Sequence, residues 1–207
     1  MTSDPRGGWS DGRYYLTNDM WNISGYSVTQ TLYACAYNNW YVVADMNNDR
    51  GDGAVKTYPN VHAAFNKQAI SSFRTISSAF AETSPHAGIY EDAYDIWISG
   101  VASSGATEVM IWTENWHQVP AGSVVGTVTF GGRTYKVWKN GSYIAFVADT
   151  NFTSGTLNLL EVFNWIIAEG WMPASSTLRE IDYGAEIVST NGTPATFTFT
   201  DFSVTTS

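Results

Sequence analysis

Three observations predict an all-β fold. Short runs rich in Val, Ile, Thr, Tyr, Phe and Trp recur along all 207 residues, punctuated by Gly, Asn, Asp, Ser and Pro. Aromatics are in surplus, with nine Trp, twelve Tyr and ten Phe, beside 18 Gly and many Thr and Ser. Only one segment has helical spacing, which argues against a βαβ arrangement. The length suits one large domain or at most two small ones, and no repeat, linker or boundary is visible. The chain is therefore read as one domain, residues 1–207.

Taken in order, the predicted strands are Arg13–Leu16, Tyr26–Ala36, Trp40–Met46, Val55–Tyr58, Ser72–Ala79 and Tyr90–Ser99. Thr107–Glu114, Val124–Phe130, Arg133–Lys139, Ser142–Ala148, Leu178–Ser189 and Thr196–Val204 follow. Asn47–Gly53 reads as an exposed loop. Gly131-Gly132 is a two-residue hairpin signal, because glycine reaches positive φ without steric cost, and Asn140-Gly141 repeats it one strand later. The helix starts at Asn158, with Glu161 placed for a capping box. Leu159, Leu160, Phe163, Ile166 and Ile167 form its apolar stripe, and Gly170 stops it.

Composition excludes several chemistries. Ten Lys plus Arg against nineteen Asp plus Glu give a net charge of −9, with no basic cluster for nucleic acid. No apolar run approaches the ~20 residues of a membrane helix, and the first eight residues lack the apolar core of a signal peptide. Cys35 is the single cysteine, so an internal disulfide and a thiolate metal cluster are both ruled out. His62, His86 and His117 have no metal-ligand spacing, and no P-loop or Gly-x-Ser-x-Gly elbow occurs. No cofactor and no metal are expected.

Strand parity then sorts the acids, because successive side chains point to opposite faces. With Val109 and Ile111 in the core, Glu108, Met110, Trp112 and Glu114 share the other face. Asp95 and Trp97 lie opposite Tyr94, Ile96 and Ile98. Glu180, Asp182, Gly184 and Glu186 lie opposite Ile181, Tyr183 and Ile187. A face that mixes carboxylates with Met and Trp suits a cleft lining better than a plain solvated surface. Gly184 leaves room beside Glu186 for a ligand or another chain to approach. Two carboxyls flanking a sugar bond are what glycoside hydrolysis needs, although solvent-facing acids would produce the same pattern.

These residues carry a family resemblance. Glu108-Val-Met-Ile-Trp112 resembles the nucleophile strand of glycoside hydrolase family 12, the small endo-β-1,4-glucanases, and Tyr183-Gly-Ala-Glu186 resembles its acid/base segment. Ala93-Tyr-Asp-Ile96 is similar to the segment whose Asp steadies the nucleophile. Asn18-Asp-Met-Trp21 is similar to the one whose Trp stacks on sugar. The matches keep family order over residues 14–204. The resemblance implies a β-jelly roll of two curved antiparallel sheets with a substrate cleft and a retaining mechanism. Glu108 would be nucleophile, Glu186 acid/base and Asp95 the partner of Glu108. Trp21, Met110, Trp112, Asp19 and Asn151 would contact sugar, with Glu114 an onlooker on the nucleophile's face. The family's usual disulfide is absent, since Cys35 has no partner. The implied partner is a β-glucan polysaccharide met outside the cell by a monomer, with no membrane or nucleic acid involved. Xyloglucan specificity, a related xylanase, a non-catalytic carbohydrate-binding sandwich and a wall-loosening protein remain the alternatives.

Overall fold

In the computed structural model, which describes residues 1–99 and 105–207, two β-sheets face each other across an apolar core. In chain order the strands are β1 (Gly8–Asp11), β2 (Tyr14–Thr17), β3 (Val28–Ala36), β4 (Asn39–Met46), β5 (Asn60–Ala69), β6 (Ile76–Thr83) and β7 (Ile89–Ile98). They continue with β8 (Thr107–Trp116), β9 (Ser123–Phe130), β10 (Arg133–Asn140), β11 (Tyr143–Ala148) and β12 (Ser154–Asn158). The helix α1 (Leu159–Ala168) comes next, then β13 (Thr177–Ser189) and β14 (Ala195–Thr206). One sheet has the order β1-β2-β5-β13-β7-β8-β11-β10-β9, the other β12-β6-β14-β4-β3. This is a jelly-roll sandwich.

Alternation explains how the layers meet. On β4, Trp40, Val42, Ala44 and Met46 are buried while their neighbours are not. Phe197 and Phe199 on β14 point inward as their spacing requires. A register shift between Phe199 and Asp201 then moves the inward set to Phe202 and Val204. Trp40 stacks on Phe199 at 4.1 Å, and Phe80, Tyr94 and Tyr183 meet at 4.7–5.8 Å in the middle of the sandwich. Each such ring contributes roughly 1.5–3 kcal/mol by burial. The helix is capped as expected, Asn158 Oδ1 accepting from the Glu161 amide, and Gly170 ends the run at φ 73°.

Several expectations are corrected. Val55–Tyr58 is not a strand, and of it only Thr57 makes a bridge, to Ile187. The strand begins two residues beyond it, as β5, which the sequence reading missed. β5 carries mostly Ala, Asn, Lys and Gln, with Val61 its one β-branched residue, and its conformation is set by pairing with β2 and β13. β1 and β12 were also missed; both are short, and β1 is exposed throughout. The run placed at Ser72–Ala79 is β6, beginning at Ile76 after a 3-10 turn at Ile70–Ser72. The sheets are not wholly antiparallel, since β11 runs parallel to β8. Two hairpin reversals separate β9 from β11, so both run with β8.

Candidate active site

The outward face of the nine-stranded sheet carries a groove made of two adjoining cavities of ≈ 590 and ≈ 510 Å³. Trp21, Glu108 and Glu186 line both, so these three residues mark the junction. Parity on β7, β8 and β13 aims the side chains here. Asp95 and Trp97 come from β7, Glu108 from β8, and Glu180, Asp182 and Glu186 from β13. Met110 and Trp112 line the second half beside Val119 and Pro120. The Trp112 indole N–H points at Met110 Sδ at 3.4 Å. Trp21 is 60% exposed at the lip and presents a flat apolar face to the groove.

Asp19 lines the first half, with burial and then the Glu186 charge pushing its carboxyl up to about 6. Burial, then the same Glu186 charge, raises Glu108 to about 7. Burial raises Glu186 as well, and its contact with Glu91 works against that rise. Asp95 is pushed well above the carboxylate range by burial and then by Glu108 and Glu186. Like charges around one buried groove cannot all ionise, so the group holds protons at neutral pH.

Gly184 is where the backbone needs the smallest residue. A Cβ there would lie 2.0 Å from the Pro59 carbonyl oxygen. The space expected beside Glu186 is therefore taken by the Pro59–Asn60 segment, which brings Tyr58 and Asn60 into the groove. Buried Lys56 anchors this segment by donating to the Val188 and Ala54 carbonyls at 2.7 and 3.2 Å.

Two expected residues lie elsewhere. Glu114 is not on the Glu108 face. Asp92 pairs with Glu114 while Ala93 pairs with Trp112, so a bulge at Thr113 reverses the parity and turns Glu114 inward. There it accepts from the Tyr90 hydroxyl at 2.6 Å. Asn151 does not line the groove. Its side chain accepts from the Asn115 amide and donates to the Asn115 carbonyl, both at 3.2 Å, at the base of the loop bearing Val119 and Pro120.

Glu91 and Tyr143 are among the groove residues that the sequence reading missed. Glu91 stands opposite Glu186 in register and lines the groove fully buried. Counting back from Asp95 by twos through Ala93 reaches it, so parity could have found it. Tyr143 pairs with Glu108 across the parallel β8–β11 contact. No local signal announces that register.

An acid-lined groove on one face of a jelly roll, with an open Trp at its lip, defines a carbohydrate-active β-sandwich. The family is explicit: residues 12–207 match the model of glycosyl hydrolase family 12, and the chain belongs to that family. Endoglucanase A of Aspergillus kawachii is 31% identical over 163 residues, covering 72% of this chain and 67% of that protein. An inactive glycoside hydrolase, XLP1 of Phytophthora nicotianae, is 28% identical over 84% of this chain and 79% of its own. Among solved structures, the xyloglucanase domain of NopAA from Sinorhizobium fredii, in complex with cellobiose, superposes at TM-score 0.85 with 28% identity, over 100% of this chain and 98% of that one. Endoglucanase cel12A from Rhodothermus marinus reaches 0.87 with 25% identity, over the same shares.

Proposed function

We propose that the chain is an endo-acting, retaining β-1,4-glucanase. The observation that carries the reading is that Glu108 and Glu186, from different strands, line both halves of one open groove. A polymer lying along the groove passes between them. Glu108, ionised, attacks C1 of the sugar bound on one side. Glu186, protonated, gives its proton to the bridging oxygen as that bond breaks, and the far half of the polymer leaves. Glu186, now a carboxylate, takes a proton from water, which attacks C1 and frees Glu108. Asp95 keeps its own proton and donates it towards Glu108, which holds the nucleophile in its ionised form. Trp21 is the sugar platform. Met110 and Trp112 shape the wall, and Asp19 offers polar contacts. The catalytic unit spans residues 1–207 as one domain that acts as a monomer outside the cell.

The groove's acids favour neutral chains. Asp19, Glu91, Asp95, Glu108, Glu180, Asp182 and Glu186 all line it, so an uncharged β-glucan is a better substrate than an anionic derivative. Xyloglucan is the second reading, supported by the likeness to a xyloglucanase domain and by a groove that runs through two adjoining cavities. The test is sugar release from barley β-glucan, xyloglucan, cellulose and xylan, with Glu108→Ala beside wild type. Activity on a β-glucan that falls about 10³-fold or more in the variant supports the reading. Activity unchanged in Glu108→Ala, or confined to xylan, overturns it.

A further inference from the structure

We propose that a divalent cation, calcium by fit, sits between the two sheets on Glu82, Asp92 and Glu114. Glu82 comes from β6 in the five-stranded sheet, Asp92 and Glu114 from β7 and β8 in the other. One carboxylate oxygen from each lies within 4.8 Å of the other two. Oxygens held about 2.4 Å from a calcium ion stand at most about 4.8 Å apart, so the three can share one ion.

The oxygens are also the wrong ones to leave bare. Glu82 is 5% exposed and Asp92 0%, yet among the described residues all four of their carboxylate oxygens lack a hydrogen-bond partner. The neighbouring Ser84 hydroxyl, 7% exposed, lies beside both carboxyls, yet among the described residues it makes no hydrogen bond of normal geometry. Buried polar atoms are normally satisfied, so four bare carboxylate oxygens meeting a third buried carboxyl mark the place of a missing electrophile. Among the described residues no Lys or Arg pairs with the three acids, and His86 reaches only Glu114, at 3.2 Å. Tyr90 fixes the Glu114 carboxylate from behind. Glu82, Asp92, Glu114 and Ser84 together offer about six hard oxygens, the number at which calcium coordination begins. No local pattern announces the site, because the three acids come from separate strands and the bulge at Thr113 is what turns Glu114 inward. The ion would tie one sheet to the other at the end of the sandwich next to residues 84–88.

Protein stripped with EDTA and exchanged into chelator-free buffer is titrated with CaCl₂ by calorimetry and melted with and without CaCl₂. One ion per chain and a rise in Tm of about 5 °C or more at saturation are expected. MgCl₂ should bind more weakly, and tighter magnesium binding would overturn the calcium assignment. The double variant Glu82→Gln, Asp92→Asn keeps the shape, removes two buried charges, and should lose both the heat and the shift. No heat and no shift in wild type overturns the proposal. So does wild-type affinity in the double variant, which would put the ion elsewhere. Should the double variant fail to fold, Ser84→Ala and Glu114→Gln are each expected to weaken calcium binding about tenfold or more, and wild-type affinity in both overturns it. None of these readouts uses glucan hydrolysis, so they stand apart from the catalytic reading.

Discussion

Glu91 and Trp21 show how different single residues of one groove can be. Glu91 is fully buried opposite Glu186, and their contact holds the Glu186 carboxyl lower than burial alone would. Glu91→Leu removes that contact, so the alkaline limb of the pH–rate curve should move to higher pH. Glu91→Gln keeps a donor and should leave the limb near wild type. A limb unmoved in the leucine variant would contradict this role. Trp21 stands at the lip and offers only a flat face. Trp21→Ala should raise KM roughly tenfold, about 1.4 kcal/mol of binding, with kcat little changed. A fall confined to kcat would remove it as a platform. Of the proposed site, Glu108, Asp95 and Glu186 were legible because parity and motif agree on them. Glu114 and Asn151 were misplaced because a bulge and a loop-base hydrogen-bond pair leave no periodic trace.

Among the elements, β13 shows how tightly the groove is held. Gly184 sits in its middle with the Pro59 carbonyl where a side chain would be. Gly184→Ala should therefore cost about 2 kcal/mol or more, read as a drop in the denaturation midpoint at unchanged m-value. A neutral result would mean that the Pro59–Asn60 segment yields freely. The same segment explains the largest miss in the strand reading. Residues 55–58 look like a strand by composition, yet they only lead into β5, and β5 itself is fixed by its two neighbours rather than by its own residues. The helix was easier, because its cap, stripe and glycine stop are all local.

For the whole molecule, composition and alternation sufficed to make the fold all-β, whereas sheet order and the parallel β8–β11 pair depend on contacts between distant residues. Its acids also set a pH dependence of stability. Asp19 and Glu108 have folded values of about 6 and about 7, above their unfolded values near 4. Between those limits the folded chain binds more protons than the unfolded chain, so stability falls as pH rises. Thermal melts should give a higher Tm near pH 5 than near pH 8, and the reverse order would contradict the buried, protonated groove. The most direct test of catalysis at Glu108 is to trap the intermediate with an activated 2-deoxy-2-fluoro cellobioside and map it by mass spectrometry. The expected result is one glycosyl group per chain, on the peptide containing Glu108. A label on another residue, or an active enzyme that forms no adduct and inverts the anomeric centre, would contradict it.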